Sequence, residues 1–332
     1  MRRAVFPAFF AALLMAALPS PALASGGWTL VIHGGAGVIA RDALTPAADA
    51  EIRAALSAAL AAGSAVLDEG GSALDAVEAA VRVLEDDPNF NAGRGAVFTS
   101  AGTNELDASI MDGATRAAGA VAGVTATRNP ISLARAVMEQ SPHVMLAGSG
   151  ADQFSRARGL EQAGPEWFRT ERRWRQWQEQ MAAQQGGGEA PPEAKHGTVG
   201  AVARDRDGNL AAATSTGGLT GKAFGRVGDS PIIGAGTYDD NRACAVSATR
   251  AGEYYIRQGV AHEICARMRF LGEGPQAAAD HVQAETLALG GDGGVIVLSA
   301  DGTPAWSFNT PGMYRGHARE GEAPMVAIYG DE

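Results

Sequence analysis

The junction Gly197–Thr198 is where the residue types of this sequence best fit a chemical reaction. A threonine hydroxyl is a weak nucleophile at neutral pH and needs a neighbouring base. If the chain were cut here, the freed α-amino group of Thr198, with an ordinary pKa of about 7.7–8.0, could accept the hydroxyl proton and return it. An amide nitrogen cannot do this, so cleavage would create the catalytic base. Without cleavage, Thr198 is only the first residue of a buried strand.

The segments on either side of Thr198 favour cleavage. Residues 184–195 (QQGGGEAPPEAK) offer no apolar face, so we predict a flexible linker there. Residues 199–205 and 209–216 alternate around an Asp-Gly turn, which is typical of a β-hairpin. This hairpin would bring Thr216 back towards Thr198. The alternative is an ordinary interdomain linker that leads into a strand.

Length and composition limit the possible classes of protein. The 332 residues include 44 glycines and 46% hydrophobic residues, which indicates a globular, turn-rich protein of one large domain or two smaller ones. A formal charge of -10 argues against nucleic acid or an anionic membrane as a partner. Cys244 and Cys265 cannot form a disulfide framework, and we predict two buried free thiols in preference to a single bridge. The histidines lack the spacing of zinc ligands.

Residues 1–24 have the pattern of a secretory leader. Two arginines precede an apolar run that ends in Ala22-Leu23-Ala24. The run contains prolines and is too short to span a membrane comfortably. We therefore expect cleavage after Ala24, a mature chain that starts at Ser25, and a periplasmic or secreted protein.

Strand and helix patterns alternate along the chain. Besides the hairpin, we predict strands over 28–37, 96–100, 118–124, 293–302 and 324–329, and helices over 49–67, 72–84, 130–140, 166–181 and up to about Leu271. The spacing of Trp167, Trp174 and Trp177 places them near one face of the helix 166–181. These patterns alone define a mixed α/β domain with a central hairpin.

Several longer motifs are more specific. They are 33-HGGAG-37, 90-FNAGRGAVFT-99, 104-NELDASIMDG-113, 137-VMEQSPHVM-145, 197-GTVGAVA-203, 214-TSTGG-218, 225-GRVGDSP-231 and 308-FNTPGMYR-315. With them, residues 25–331 resemble the plant-type asparaginase and isoaspartyl peptidase family of N-terminal nucleophile hydrolases. The resemblance implies an α+β fold, a four-layer αββα sandwich, assembled as a dimer of αβ units (a heterotetramer).

The resemblance implies a catalytic set. Gly197–Thr198 would be the bond that the chain cuts by itself, giving an α subunit of residues 25–197 and a β subunit of residues 198–332. Thr198 would be the nucleophile, and Thr216 would contact and orient it. Thr249 and the following backbone N–H would form an oxyanion hole, in which each donor contributes about 2.7–4 kcal/mol.

The resemblance also implies a substrate-binding set of Arg226, Asp229, Arg250, Gly252 and Asn91. Arg226 would bind the α-carboxylate and Asp229 the α-amine of a β-linked aspartyl group, chemistry that suits a planar guanidinium and a carboxylate. Asn91 would assist substrate positioning. Arg250 is a departure, because the family usually has glycine there; a positive φ would be strained, and a cation beside the pocket could change leaving-group preference.

Asp292, in the turn 290-GGDGG-294, is a second departure from the family pattern, either a contact of the substrate amine or a turn residue. No cofactor is expected to be required. A structural sodium ion would be held by main-chain oxygens of the loop that follows the second helix, with Leu84, Glu85, Asp87, Phe90, Ala92 and Arg94 as its ligands.

The expected activity is hydrolysis of β-aspartyl (isoaspartyl) dipeptides and of asparagine through an acyl-enzyme, with small molecules as partners and neither nucleic acid nor a membrane. Two alternatives stay open. A glycosylasparaginase would use the same nucleophile with a pocket open to a sugar, and a periplasmic binding protein would keep the pocket without cutting itself. Nucleotide binding at 33-HGGAG-37 is weaker, because the full glycine fingerprint and its downstream acid are missing.

Overall fold

The computed structural model describes residues 27–37, 39, 41, 44–186 and 197–332. The strands are β1 (Thr29–Gly37), β2 (Leu106–Asp112), β3 (Ala118–Val124), β4 (Met145–Ala147), β5 (Val199–Arg204), β6 (Leu210–Thr216), β7 (Thr237–Asp240), β8 (Cys244–Arg250), β9 (Gly293–Ser299), β10 (Pro304–Phe308), β11 (Gly312–Arg319) and β12 (Met325–Tyr329). The helices are α1 (Pro46–Asp68), α2 (Ala73–Asp86), α3 (Pro130–Gln140), α4 (Gly148–Ala157), α5 (Pro165–Phe168), α6 (Glu171–Gln185), α7 (Gly252–Gln258), α8 (Val260–Ala266) and α9 (Pro275–Ala288).

The strands form two sheets that lie between two layers of helices. The larger sheet has the order β12-β11-β1-β5-β6-β2-β3-β4 and the smaller one β10-β9-β8-β7. Neighbouring strands are antiparallel except for β3 and β4, which are parallel. Helices α1 to α3 pack on the larger sheet, and α8 and α9 pack on the smaller one. This confirms the predicted four-layer αββα sandwich.

Each interface between layers has its own apolar core. The layer between the two sheets is built from residues of both, including Val31, Val202, Ala212, Ala245 and Ile296, all fully buried. Gly200 of β5 and Ala212 of β6 face the smaller sheet, and a Cβ atom on Gly200 would collide with Ser247 Oγ, so small residues here let the sheets approach closely. Two of the three predicted catalytic threonines lie at the ends of these central strands, Thr198 just before β5 and Thr216 at the end of β6.

Helix α1 illustrates how local sequence starts an element. Thr45 caps it by accepting a hydrogen bond from the Ala48 backbone N–H at 3.2 Å, and Pro46 occupies its first position. Within the described residues, α1 alone is long and apolar enough to cross a membrane by length and composition. It packs instead against α2, β1 and β11, with Leu56 and Leu60 buried, so it is an outer-layer helix of the sandwich.

The predicted strand 96–100 is wrong, because those residues form a loop. Side chains take the place of a neighbouring strand: Asn104 Nδ2 donates to the Ala96 and Val97 carbonyls, both at 3.0 Å, and Asn91 Oδ1 accepts from the Val97 N–H at 3.0 Å. A pattern of apolar residues does not reveal such side-chain partners. The strands 118–124 and 199–204 and the helix 130–140 lie where they were predicted.

The predicted helix 166–181 is two helices, α5 and α6, which separates the tryptophans. Trp174 and Trp177 stack with ring centroids 4.5 Å apart, and Phe98 packs edge-on against Trp174. Trp167 instead packs against guanidinium groups of Arg94 and Arg128. The shared face predicted from spacing therefore holds for two of the three.

The predicted leader, residues 1–24, lies outside the described residues, as do residues 187–195 of the predicted linker. Residues 184 and 185 belong to α6, which is closed by the Gly186 N–H donating to the Ala182 carbonyl at 3.0 Å. The linker prediction therefore began too early, because glutamine continues a helix readily.

The prediction of two free thiols is wrong: Cys244 and Cys265 form a disulfide with their Cα atoms 5.4 Å apart. Cys244 begins β8 and Cys265 lies on α8, which packs directly on that strand. The bond therefore joins the smaller sheet to its covering helix. Sequence spacing could not show this, because pairing depends on how the helix folds back over the strand.

We expect this disulfide to stabilise the fold. It closes a loop with a sequence separation of 21 residues, a length for which chain entropy predicts roughly 3 kcal/mol. Replacing both cysteines by alanine should lower the free energy of unfolding by about 2–4 kcal/mol in urea titrations. A reductant should destabilise the parent protein and leave the double variant unchanged; equal sensitivity of the two would contradict the assignment.

Candidate active site

Thr198 lies immediately before β5, at the centre of the larger sheet. Strand β5 pairs with β6 so that Val199 faces Ser215, which brings Thr198 next to Thr216. The Thr198 hydroxyl donates to Thr216 Oγ1 at 3.0 Å, and the same Thr216 oxygen accepts from the Gly218 N–H at 3.0 Å. The hairpin predicted from the sequence thus places the second threonine where it orients the first.

The smaller sheet supplies Thr249, which approaches the junction from the opposite layer. Its Oγ1 accepts from the Ala36 N–H at 3.4 Å, and the residue is fully buried near the end of β8. A Cβ atom on Gly197 would collide with this hydroxyl and would lie 2.8 Å from the Gly35 Cα atom. Only glycine fits at Gly197, so the junction is tightly packed between the two sheets.

The carbonyl of Thr198 is held by His33. His33 Nδ1 lies 3.0 Å from that oxygen, and Nε2 lies 2.9 Å from Ser247 Oγ. A carbonyl only accepts, so Nδ1 carries the proton and the neutral ring accepts from Ser247. Burial lowers the pKa of His33 to about 3, which keeps the imidazole neutral. Beyond Ser247, further buried hydroxyls continue the network between the sheets: Thr214, Thr237 and Ser109.

Arg226 and Asp229 line the same cavity as Thr198. This cavity has a volume of about 280 Å³, at the lower end for small-molecule sites. Asp229 is buried, its Oδ2 has no hydrogen-bond partner within the described residues, and burial raises its pKa to about 7. Arg226 forms a bidentate pair with Glu253 at 2.9 and 3.0 Å. The cavity thus holds a guanidinium and a carboxyl group side by side.

Gly252 has no side chain and so leaves room for Arg226 and Asp229. A Cβ atom there would lie 2.9 Å from Arg226 Nη2 and 2.9 Å from Asp229 Oδ1. Any side chain at the start of α7 would displace one of them. The predicted role of Gly252 therefore corresponds to a packing constraint beneath the two charged groups.

Asn91 supports the turn after Thr216 and lies outside the cavity lining. Its side-chain Nδ2 donates to the Gly218 carbonyl at 2.8 Å, and its main-chain carbonyl accepts from the Gly217 N–H at 3.1 Å. A Cβ atom on Gly217 would lie 2.7 Å from Asn91 Oδ1. The structure thus places Asn91 where it shapes the backbone that carries Thr216.

Arg250 has a positive φ of 102°, the case in which the sequence predicts strain. That value favours glycine and strains an arginine. Its Nη2 pairs with Asp292 Oδ2 at 2.7 Å, and both residues line the cavity. Asp292 is therefore more than a turn residue, because it fixes the cation at the edge of the site.

The structure describes all six residues of the predicted sodium set. Leu84 and Glu85 lie in the last turn of α2, and Asp87, Phe90, Ala92 and Arg94 follow it. The Glu85 carbonyl packs against Gly93 and the Phe90 carbonyl against Gly95, where a Cβ atom would not fit. Oxygen donors of this kind suit a hard cation. The described residues contain no His, Cys, Asp or Glu group that could hold a metal through side chains.

Sequence reasoning missed several residues that complete the site. Ser230 Oγ lies 3.5 Å from Thr198 Oγ1, inside the motif 225-GRVGDSP-231. Lys222 is buried beside Gly218, with its Nζ 3.8 Å from Asp107 Oδ2. Only tertiary packing identifies these residues, because a serine next to proline or a single lysine has no distinctive pattern.

An αββα sandwich with a threonine at the start of a central strand, a second hydroxyl at its Oγ and charged groups in one cavity defines an N-terminal nucleophile hydrolase. The chain belongs to the asparaginase family, whose profile matches residues 26–328.

Curated relatives are similar over nearly their whole length. An isoaspartyl peptidase of Escherichia coli (strain K12) is 49% identical over 92% of this chain and 97% of its own. An isoaspartyl peptidase/L-asparaginase of Xenopus laevis is 41% identical over 91% and 96%. A plant-type L-asparaginase of Pyrococcus abyssi is 42% identical over 88% and 96%.

The neutral His33 should make stability depend on pH. Its pKa falls from 6.5 to about 3 on folding, so unfolding takes up a proton below about pH 6.5 and stability is lost as the pH falls. Between pH 7.5 and 5.0 this term is about 2 kcal/mol. We expect His33→Gln to lose that part of the pH dependence.

The measurement is urea unfolding at both pH values in a Thr198→Ala background, in which the self-cleavage predicted from the sequence is not expected. The parent and His33→Gln proteins are compared by the change between pH values, so a constant loss of stability cancels. An identical pH dependence in both would show that His33 is not buried in neutral form.

Proposed function

We propose that this protein is an autoprocessing amidohydrolase that uses the N-terminus of Thr198 to cleave β-aspartyl dipeptides and to hydrolyse asparagine to aspartate and ammonia. The observation that carries this proposal is the contact of the Thr198 and Thr216 hydroxyls at 3.0 Å in a cavity that also contains Arg226 and Asp229. One end of that cavity can perform acyl transfer. The other can recognise an amino acid.

Self-cleavage would begin with attack of Thr198 Oγ on the Gly197 carbonyl carbon. The new C–O bond forms as the C–N bond breaks, the hydroxyl proton passes to the departing amine, and water then hydrolyses the ester. The Thr249 hydroxyl packs directly against Gly197, where it could stabilise the negative oxygen. Close packing around the junction holds the reacting atoms together before any bond changes.

Substrate hydrolysis would repeat this chemistry with the freed amine as base. The Thr198 amine accepts the hydroxyl proton, Oγ attacks the side-chain amide carbon, and the proton is given to the leaving amine. Thr249 donates to the oxygen that becomes negative, and water then releases aspartate from the acyl-enzyme. Thr216, which accepts from the Thr198 hydroxyl, orients it before attack.

The charged groups of the cavity suit the two ends of an α-amino acid. Arg226 would bind the α-carboxylate, with Glu253 holding the guanidinium flat by two hydrogen bonds before substrate arrives. Asp229 would bind the α-ammonium group, because its unpartnered Oδ2 is buried in the same place. An ammonium partner would offset the desolvation of this carboxylate.

The relatives support this substrate class over the alternatives. Similar proteins from a bacterium, an archaeon and an animal carry the names isoaspartyl peptidase or L-asparaginase. These names match the proposed substrates, which makes a glycosylasparaginase the weaker candidate. A binding protein that never cleaves itself would have no use for the tightly packed junction at Gly197.

Three finer features belong to the same proposal. Residues 1–24 would direct export to the periplasm or the medium, leaving Ser25 as the first residue. The main-chain oxygens of the loop after α2 would hold a structural sodium ion that orders the segment carrying Asn91. Two αβ units would assemble into a heterotetramer, which light scattering on purified protein would test.

Replacing Thr198 by Ala should abolish processing and activity together. The variant lacks the attacking hydroxyl, and because the chain is then not cut, no free α-amino group forms at residue 198. The rates of asparagine and β-aspartyl-leucine hydrolysis should therefore fall by more than roughly 10³-fold. Intact mass spectrometry of the parent should show two fragments, residues 25–197 and 198–332; Thr198→Ala should show one.

Thr198→Ser is the matched control, since it keeps a hydroxyl and yields an α-amino group. It should process and retain measurable turnover. Cleavage or turnover by Thr198→Ala would refute the mechanism, and a parent protein that stays intact would favour the binding-protein alternative.

The activity should fall at acid pH because two groups must be deprotonated. Burial raises the pKa of Asp229 to about 7, and its carboxylate is the form that binds an ammonium group. The amine of Thr198 must also be free of its proton. The logarithm of kcat/KM for asparagine should therefore approach a slope of 2 below about pH 6.

Asp229→Asn should reduce kcat/KM by about 100-fold or more, because the substrate ammonium loses a buried partner. At acid pH, the logarithm of kcat/KM for this variant should rise with pH with a slope of 1, because only the Thr198 amine then titrates. A slope that does not change would show that Asp229 does not titrate in the functional range.

A further inference from the structure

Arg250 combines backbone strain with a place in the cavity wall. Its φ of 102° is one that L side chains rarely adopt, and strain of this kind persists where the surrounding structure and a function retain it. Its side chain is only 6% exposed, yet it lines the cavity that contains Thr198. A glycine would relieve the strain, so the arginine side chain needs an explanation of its own.

The cavity therefore presents two guanidinium groups on different segments. Arg226, on the loop between β6 and β7, is held by Glu253 of α7. Arg250, at the end of β8, is held by Asp292, just before β9. Each group has its own carboxylate partner, so the two cations are separately positioned.

The substrates of the proposed reaction differ in how many carboxylates they carry. Asparagine has one, its α-carboxylate. A β-aspartyl dipeptide has a second, on the C-terminal amino acid that leaves when the amide bond is cut. We propose that Arg250 is a specificity-determining residue that binds this second carboxylate, so that the enzyme favours β-aspartyl dipeptides with a free C-terminus.

The Arg250–Asp292 pair has the properties of an exchangeable contact. The Asp292 side chain is 47% exposed, and an ion pair with one partner in solvent contributes little. A substrate carboxylate inside the cavity can take the place of Asp292 on the planar guanidinium, which binds carboxylates in bidentate fashion. The displaced Asp292 carboxylate is then hydrated by solvent, and the buried guanidinium keeps a carboxylate partner.

The test compares β-aspartyl-leucine with its C-terminal amide, which differs in one negative charge. The ratio of their kcat/KM values isolates the second carboxylate, because effects on folding, on the oxyanion hole or on the α-carboxylate site act on both substrates. We expect the parent to favour the free acid by about tenfold or more. Arg250→Gly should bring the ratio close to 1, and glycine tolerates the local φ.

Asp292→Asn should shift the ratio the other way. It keeps a similar side chain but removes the competing carboxylate, so the preference for the free acid should increase about two- to fivefold, mainly through a lower KM. Arg242→Ala is the matched control for loss of one positive charge, because Arg242 pairs with Asp240 and does not line the cavity. Its ratio should equal that of the parent.

This inference rests on the proposed function, and the two fail differently. If the parent cleaves neither compound nor asparagine, the proposed function is wrong. If the parent cleaves both compounds and Arg250→Gly leaves their ratio unchanged, the role of Arg250 is wrong while the hydrolase stands. An equal loss for both compounds would also overturn the role, because effects on folding, on the oxyanion hole or on the α-carboxylate site act on both.

Discussion

The close approach of two β-sheets around the bond between Gly197 and Thr198 is the constraint on which the site depends. The larger sheet provides Thr198 and Thr216, and the smaller one brings the Thr249 hydroxyl against Gly197. Such proximity needs small residues, which Gly35 of β1, Gly200 of β5 and Ala212 of β6 supply. A single added methyl group at Gly197 would separate the groups that the chemistry requires.

Burial then sets the charge state of each polar group near the junction. His33 loses proton affinity because it is fully buried, and its hydrogen bond to the Thr198 carbonyl only partly offsets the desolvation. Asp229 gains proton affinity because Arg226 only partly offsets its desolvation. The first group is structural and neutral. The second is a carboxyl group whose charge a bound ammonium would favour.

Support for the reactive residues comes from elements that contribute no reacting atom. Asn91 and Lys222 shape the turn after Thr216 from behind, and the disulfide between Cys244 and Cys265 fastens α8 to the strand that carries Thr249. Glu253 and Asp292 each hold an arginine at the cavity. Pre-positioning of this kind lowers the entropy that binding must overcome.

The sequence by itself determined the hairpin from Val199 to Thr216, because alternation and an Asp-Gly turn are local, and its longer motifs identified the family and predicted the nucleophile. It also indicated that a positive φ at Arg250 would be strained, since glycine alone adopts such a φ freely, and the structure has that φ. Only the tertiary structure decided what contacts are made across the chain: the disulfide, the loop at 96–100, the pairing of Arg250 with Asp292, and the neutral state of His33. These depend on which segments meet in three dimensions and on how deeply each group is buried, and residue spacing determines neither.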